Sequence, residues 1–304
     1  MEIKKIQKSI GRFFGWLVLV ICSFIIKLIP EGCLYGFAKG IAFLGYQFTH
    51  KQRRIAQETL DIAFGNQKSK AEKEKIAKES FVYMAKSAVE VISLMDSPEL
   101  MKRRISLVNK GNLDNALARG NGVILVSGHF GNFPLLLARL SQEGYEVSGI
   151  MRPMRDQRVE NIFLKKRQRY GVRTIYSKPR DTCVSSSIEA LRNNQLVFIP
   201  IDQNFGTAGV FVNFFGKKAA TATGPIIFAQ RTGASLVPCF ILRQKDDTHR
   251  IVFEPPLTLE SRQSPRETIA VNIQKLTDII EAYIRRYPAE WGWVHRRWKS
   301  KPSV

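Results

Sequence analysis

Residues Phe13 to Ile26 read FFGWLVLVICSFII, fourteen positions without a charge. A helix that is apolar on every face cannot lie on the surface of a water-soluble body. It must be buried in a core or placed in lipid. Fourteen residues at about 1.5 Å each give roughly 21 Å, short of the roughly 30 Å hydrocarbon core of a bilayer. Extension to Ile29, with Lys27 snorkelling, brings the segment closer to spanning. Lys4, Lys5, Lys8 and Arg12 precede the run, and Lys27 and Pro30 follow it. Basic flanks on both sides fit a helix lying in or dipping into the cytoplasmic leaflet better than a clear crossing. A signal peptide also begins basic and then apolar, but Pro30-Glu31-Gly32-Cys33 is a poor cleavage site. A second apolar stretch, Leu34 to Phe48, carries only Lys39. We read residues 1–50 as a membrane anchor with its adjoining helix, and 51–304 as the catalytic body. Two buried core helices are the alternative for the first fifty residues.

The other 250 or so residues are ample for a real core. Mean hydropathy of −0.14 excludes a polytopic membrane protein. Cys22, Cys33, Cys183 and Cys239 are scattered without a C-x-x-C pair, which argues against a disulfide scaffold or a thiolate zinc site. The formal net charge of +21 points to anionic partners. Helical, charged patterning runs from Lys51 to about Asp96 and stops at Ser97-Pro98. Beyond it, apolar runs alternate with helical stretches: strands at 123–126, 145–150, 196–201, 236–242 and 249–253, helices at 133–140, 160–170, 185–192, 224–232 and 268–286. That alternation predicts an α/β fold with a mostly parallel central sheet flanked by helices. Residues 236–253 read as an antiparallel edge of it.

The chemistry centres on GVILVSGHFGNFPLLLARL. The strand ends at Val126 and a helix begins near Asn132 or Phe133, so His129 falls in a strand-to-helix loop at the C-terminal edge of the sheet. Open α/β sheets place ligands there. Gly128 and Gly131 remove side chains beside it, and Asn132 is a candidate N-cap. The helix N-terminus carries partial positive charge suited to a developing oxyanion.

His129-Phe130-Gly131-Asn132-Phe133 resembles the H-F-G-N-[WF] segment of the late lipid A acyltransferases, bacterial enzymes of lipopolysaccharide assembly. The resemblance covers nearly the whole chain. It takes in the apolar N-terminal helix, Gln52-Arg53-Arg54, Arg152-Pro153 and Lys166-Arg167-Gln168-Arg169-Tyr170-Gly171. It continues through Pro200-Ile201-Asp202-Gln203, Phe215-Gly216 with Ala222-Thr223-Gly224-Pro225, and the run Trp291 to Lys299. The fold it implies is that of the glycerolipid acyltransferases. The reaction it implies moves a fatty acyl chain from an acyl carrier protein thioester, or acyl-CoA, to a hydroxyl of an anionic lipid such as a lipid A precursor. The implied location is the cytoplasmic face of the bacterial inner membrane. No cofactor and no metal are implied. A secondary hydroxyl is a poor nucleophile at neutral pH, so a base must take its proton during attack. The family histidine falls on His129. The matching arginine and aspartate fall on Arg167, as a phosphate ligand, and on Asp202, as an orienting residue. Arg152, Arg169, Asn132 and Gln203 complete the implied substrate contacts.

One departure bears on catalysis. The family has a carboxylate five places after the histidine, and this chain has Pro134. Such a carboxylate would fix the imidazole tautomer and stabilise imidazolium. Either Asp202 or Glu254 supplies it through space, or His129 works without one, or the chain is a weak catalyst that binds lipid or carrier protein. Asp202 is the favoured partner.

Eight Lys/Arg between Arg152 and Arg173 face only Asp156 and Glu160, a local excess of +6 suited to phosphorylated head groups and an acidic carrier protein. Six more lie between Arg285 and Lys301, interleaved with Trp291, Trp293 and Trp298. Cations with tryptophans favour docking at a membrane interface. The same pattern could stack single-stranded nucleic acid, but the apolar run at Phe13–Ile26 speaks against that class, and no nucleic-acid partner is expected. His295 reads as structural.

Overall fold

The computed structural model describes residues 2–302, with side chains from residue 9 onward. The side chains of Lys4, Lys5 and Lys8 lie outside the described residues. Four helices come first: α1 (Glu2–Leu28), α2 (Glu31–Phe48), α3 (His50–Phe64) and α4 (Lys70–Ser93). Pro30 separates the first two, because its missing N–H cannot continue the ladder of α1 but suits the start of α2. Ser69 and Glu72 close a capping box on α4, with Ser69 N donating to Glu72 Oε2 at 2.7 Å and Glu72 N to Ser69 Oγ at 3.2 Å.

In α1 the stretch Ser9–Leu28 is long and apolar enough to cross a membrane, and only 6% of its most apolar window is buried. Phe14, Ile21, Phe24 and Leu28 stand exposed. The second apolar stretch behaves differently. Leu34, Ala38, Ala42 and Tyr46 of α2 recur every four residues and are buried, and α2 packs against α4. Ile41, Phe43, Leu44 and Phe48 on its remaining surface stay exposed. So α2 is half a core helix, joined to an apolar outer surface that continues from α1.

The body follows as α5 (Pro98–Arg104), β1 (Ile105–Val108), α6 (Lys110–Leu117), β2 (Val123–Ser127), α7 (Phe133–Gln142), β3 (Val147–Met151), α8 (Gln157–Arg169), β4 (Arg173–Tyr176), α9 (Arg180–Arg192) and β5 (Leu196–Pro200). It ends with the hairpin β6 (Val210–Phe214) and β7 (Lys217–Thr221), then α10 (Gly224–Thr232), β8 (Ser235–Arg243), β9 (His249–Phe253) and α11 (Pro265–Arg286). Seven strands form one sheet in the order β1-β9-β8-β2-β5-β3-β4. Every pair is parallel except β8 with β9. The α/β reading therefore stands.

The expected antiparallel edge is corrected: β8 and β9 do run antiparallel, but β1 pairs in parallel outside β9 and forms the edge. Strand residues alternate between two cores. Ile124 and Val126 of β2 face one layer with Phe240 and Ile273, while Val123 and Leu125 face another with Leu135 and Leu140. A sheet covered on both faces needs near-continuous apolar strands, and all five residues of β2 are buried. Each of the apolar side chains Val123 to Val126 contributes roughly 1.5–3 kcal/mol of burial.

The C-terminal tryptophans do not form a docking surface. Trp291, Trp293 and Trp298 are 2%, 0% and 7% exposed, and Arg297 among them is fully buried. Trp298 Nε1 donates to Phe214 O at 3.1 Å, and Trp293 Nε1 to Pro288 O at 2.6 Å. The segment seals the hairpin and α11 onto the sheet, so its rings are unavailable to lipid or to bases.

A buried polar cluster ties α4 to β8 and β9. Arg243 pairs through both terminal nitrogens with Glu90, Nη2 to Oε2 at 2.8 Å. His249 Nε2 lies 3.1 Å from Glu90 Oε1. Burial would raise Glu90, but His249 and Arg243 outweigh it and hold the carboxyl down at about 2. Glu290 sits beside this cluster, accepting from Arg243 N at 3.1 Å. Its burial dominates, opposed by Arg243 and reinforced by the charge of Glu90, and pushes it up to about 7. Its ordinary value is 4.5, so the folded chain holds this proton where the unfolded chain has lost it. The associated stabilisation is complete at acid pH and is lost as pH rises through about 7, where the buried carboxyl must ionise. Glu290→Gln keeps the acceptor and removes the titration. We expect the variant to gain on wild type as pH rises from about 5 to about 8, by up to about 3 kcal/mol. Melting curves across that range check this, and a gap that stays constant with pH would contradict it.

Candidate active site

The strands β2 and β5 are parallel neighbours with Ser127 opposite Pro200. Ile201 N donates to Ser127 O at 3.0 Å and carries the pairing one step further. His129 and Asp202 stand two residues beyond those partners, so the register itself brings them together. His129 Nδ1 lies 2.7 Å from Asp202 Oδ1, and His129 N donates to Oδ2 at 2.8 Å. Trp291 Nε1 donates to the same Oδ2 at 2.6 Å. Glu254 is elsewhere, accepting from the Tyr283 hydroxyl. The carboxylate against His129 is therefore Asp202, across the sheet rather than along α7.

The glycines around the loop are fitted to this geometry. A Cβ on Gly128 would come within 3.1 Å of the Asp202 carboxyl, so its absence leaves room for the carboxylate. Gly131 has φ +58°, and a Cβ there would collide with Ile241 O. Its N–H donates to Glu290 O at 2.9 Å, which pins the turn to the C-terminal segment. Pro134 occupies the first turn of α7, where a missing N–H costs nothing.

Asp202 is 3% exposed. Burial alone would raise its pKa. The charge of His129 and three hydrogen bonds win and hold it down at about 2. Burial would likewise lower His129, but the charge and hydrogen bond of Asp202 outweigh it and move the imidazole above its ordinary 6.5. A carboxylate only accepts, so the hydrogen sits on Nδ1, leaving Nε2 as the lone-pair nitrogen. The His129 side chain is 34% exposed and lines a cavity of about 1200 Å³. One wall of that cavity is apolar: Val91 and Met95 near α4, Leu137 of α7, Phe163 of α8 and Phe198 of β5. Leu19 of α1 also lines it. The arrangement can take a proton at Nε2 beside a slot shaped for a hydrocarbon chain.

The other expected contacts divide. Arg152, Asn132, Gln203 and Arg167 line the same cavity, whereas Arg169 does not. Arg152 and Gln203 are exposed to it. Asn132 holds the N-cap position of α7 without capping it; its Nδ2 donates to Glu90 Oε2 at 2.9 Å and Ser87 O at 3.1 Å. Arg167 is bound by Glu160 at 2.6 Å and by Thr174 Oγ1 at 2.9 Å, and Glu160 is itself buried. Its guanidinium is thus paired within the protein to a buried carboxylate. Lys166 and Arg169 reach Asp96 at 2.7 and 3.6 Å, and Arg158 is held by Asp156 at 2.6 Å. Four of the eight Lys/Arg of the basic cluster seen in the sequence, Arg158, Lys166, Arg167 and Arg169, are held in internal pairs. His295 also lines the cavity, and burial lowers its pKa. Trp291 and Glu290 escaped the sequence reading as site residues, since nothing in a linear pattern brings them to His129.

Residues 1–300 match the family described as bacterial lipid A biosynthesis acyltransferase. The lipid A biosynthesis lauroyltransferase of Escherichia coli (strain K12) is 24% identical over 294 residues, which cover 95% of this chain and 92% of that protein. The lipid A biosynthesis palmitoleoyltransferase of the same strain is 26% identical over 283 residues, 90% of this chain and 86% of that one. The phosphatidylinositol mannoside acyltransferase of Mycobacterium tuberculosis (strain CDC 1551 / Oshkosh) is 27% identical over 188 residues, 62% and 58% of the two chains. A family match along almost the full length, on a chain whose parallel sheet presents a histidine to an apolar cavity, makes this protein a member of the bacterial lipid A biosynthesis acyltransferase family.

Proposed function

We propose that the protein moves a fatty acyl chain from an acyl carrier protein thioester, or acyl-CoA, to a hydroxyl of a lipid A precursor. The observation that carries this reading is His129, hydrogen-bonded at Nδ1 to Asp202 and lining an apolar cavity. Nε2 removes the proton of the acceptor hydroxyl as its oxygen attacks the thioester carbonyl. Asp202 keeps the tautomer and stabilises the imidazolium that forms. The amides of Asn132 and Phe133, at the open end of α7, suit the oxyanion, since the Gly131 amide is taken by Glu290 O. Collapse breaks the C–S bond, and the thiolate leaves with the proton that His129 took. Arg152 and Gln203 contact the polar part of the substrates. With Asp202 in the orienting role, Pro134 need not supply a carboxylate.

His129→Ala is expected to abolish transfer, and Asp202→Asn to slow it by about 10²–10⁴-fold. Activity falls as pH drops through the His129 pKa, which Asp202 holds above 6.5. Removing the carboxylate's charge therefore moves the acid limb of the pH–rate profile to lower pH. Chromatography of radiolabelled lipid after incubation with acyl carrier protein thioester and lipid A precursor measures both effects. Transfer by Asp202→Asn at the wild-type rate, with an unmoved acid limb, would sink the dyad.

Residues 1–50 anchor the catalytic body, 51–304, to the cytoplasmic face of the bacterial inner membrane. Support comes from the exposed apolar surface of α1 and from Arg158, whose guanidinium sits 5.2 and 5.0 Å from the Phe13 and Trp16 rings. Phe14→Lys with Phe24→Lys is expected to shift the protein from the membrane pellet to the high-speed supernatant, because each lysine at hydrocarbon depth costs about 2.5–3.5 kcal/mol. Immunoblots of the two fractions read the shift; full retention of the double variant in the pellet would argue against this anchor.

A further inference from the structure

The turn that follows His129 is gripped from two sides by one buried arginine. On one side Arg243 N donates to Glu290 Oε2 at 3.1 Å, and Glu290 O accepts the Gly131 amide at 2.9 Å. On the other side the Arg243 guanidinium pairs with Glu90, whose Oε2 accepts Asn132 Nδ2 at 2.9 Å. Ser87 O, nearly one turn earlier on α4, accepts from the same nitrogen at 3.1 Å. A carboxylate and a carbonyl only accept, so chemistry fixes which end of the Asn132 amide faces α4. Asn132 and Glu90 are each 1% exposed, which keeps water from competing for these bonds.

An asparagine at an N-cap ordinarily accepts a first-turn amide with its side-chain oxygen. Here Oδ1 has no partner among the described residues. Pro134 offers no N–H, and Leu135 N already donates to Asn132 O at 2.9 Å. The side chain forgoes the cap and ties the start of α7 to α4 instead. The Asn132 and Phe133 amides are left without a protein acceptor among the described residues. Such donors lower a barrier only where the oxyanion forms, and a misplacement of about 1 Å can cost about 10²-fold.

We propose that Glu90 is a positioning residue for acyl transfer. Through the Asn132 side chain it fixes the Asn132 and Phe133 amides at the place where the thioester oxyanion develops. The assignment rests on the acyltransfer reading above and deepens it.

The test pairs kinetics with melting temperatures on the full chain in neutral detergent micelles. Asn132→Leu keeps the side-chain volume and loses both hydrogen bonds, and Asn132→Ala loses the volume as well. Both are expected to lower kcat by about 10²–10³-fold, with KM for acyl carrier protein thioester within about threefold of wild type. Glu90→Gln keeps an oxygen for Asn132 Nδ2 and is expected to lose less than about tenfold in kcat. Tyr35→Phe removes a different bond to Glu90, donated by its hydroxyl at 2.9 Å, and leaves Asn132 untouched. It is expected to keep kcat within about twofold. A kcat loss that merely follows the melting temperature across the four variants would overturn the positioning role. So would a wild-type kcat in Asn132→Leu and Asn132→Ala. A second measurement needs no turnover. A trifluoromethyl ketone analogue of the acyl-pantetheine thioester, whose hydrate is tetrahedral, is expected to bind wild type about 10²-fold tighter than a thioether analogue lacking the carbonyl. Asn132→Leu is expected to lose most of that preference. No preference in wild type, or an equal one in the variant, would also overturn the proposal. A wild type that prefers the ketone but transfers no acyl chain would sink the acyltransfer reading and not the positioning of the amides.

Discussion

A carboxylate buried with three N–H donors is the feature around which this site is assembled. Asp202 takes hydrogen bonds from the ring and the amide of His129 and from the indole of Trp291. A charge so deep in the protein survives only because those donors replace the water it has lost. The carboxylate and its donors come from three different pieces of architecture. The ring and amide come from the loop after β2, the carboxylate from the end of β5, and the indole from the segment beyond α11. Their meeting requires the parallel register of β2 with β5, the turn at Gly131, and the packing of the C-terminal tryptophans into the core.

Much of this was legible in the sequence, and the illegible parts have physical reasons. The run VILV followed by glycines and the start of a helix marks a buried strand and a ligand-side loop, because among strands it is those covered on both faces that are apolar at consecutive positions. Asp202 could be favoured as the partner of His129 but not placed, since register between strands seventy residues apart leaves no local trace. β1 (ISLV) and β4 (RTIY) went unseen because four residues with polar members carry no periodicity. In the hairpin β6–β7 the strand signal is one-sided: VFVNF is rich in strand formers, but KKAAT has neither alternation nor strong strand formers to pair with it. The tryptophan run misled for a different reason. Aromatics beside cations look alike whether they meet a bilayer or a buried core, and only tertiary packing decides. The cations of α8 misled similarly, because the carboxylates that neutralise them, Asp96 and Glu160, lie on other elements or are hidden beneath the helix.

The N-terminal helices are more than an appendage. Ile26 of α1 packs with Val89 and Ile92 of α4, and Lys27 shares Asp96 with Lys166 and Arg169 of α8. Since α4 and α8 also line the cavity, Asp96 joins α1 to elements around the hydrocarbon slot. Leu19 of α1 lines the cavity itself.

The Trp291 contact has an optical corollary. Its indole is bound to the carboxylate that faces the imidazole, and it is almost wholly shielded from solvent. Indole emission responds to nearby charge. The ring thus sits in the field of the carboxylate that orients the histidine, so a change in the charge of that pair is a change in the indole's own surroundings.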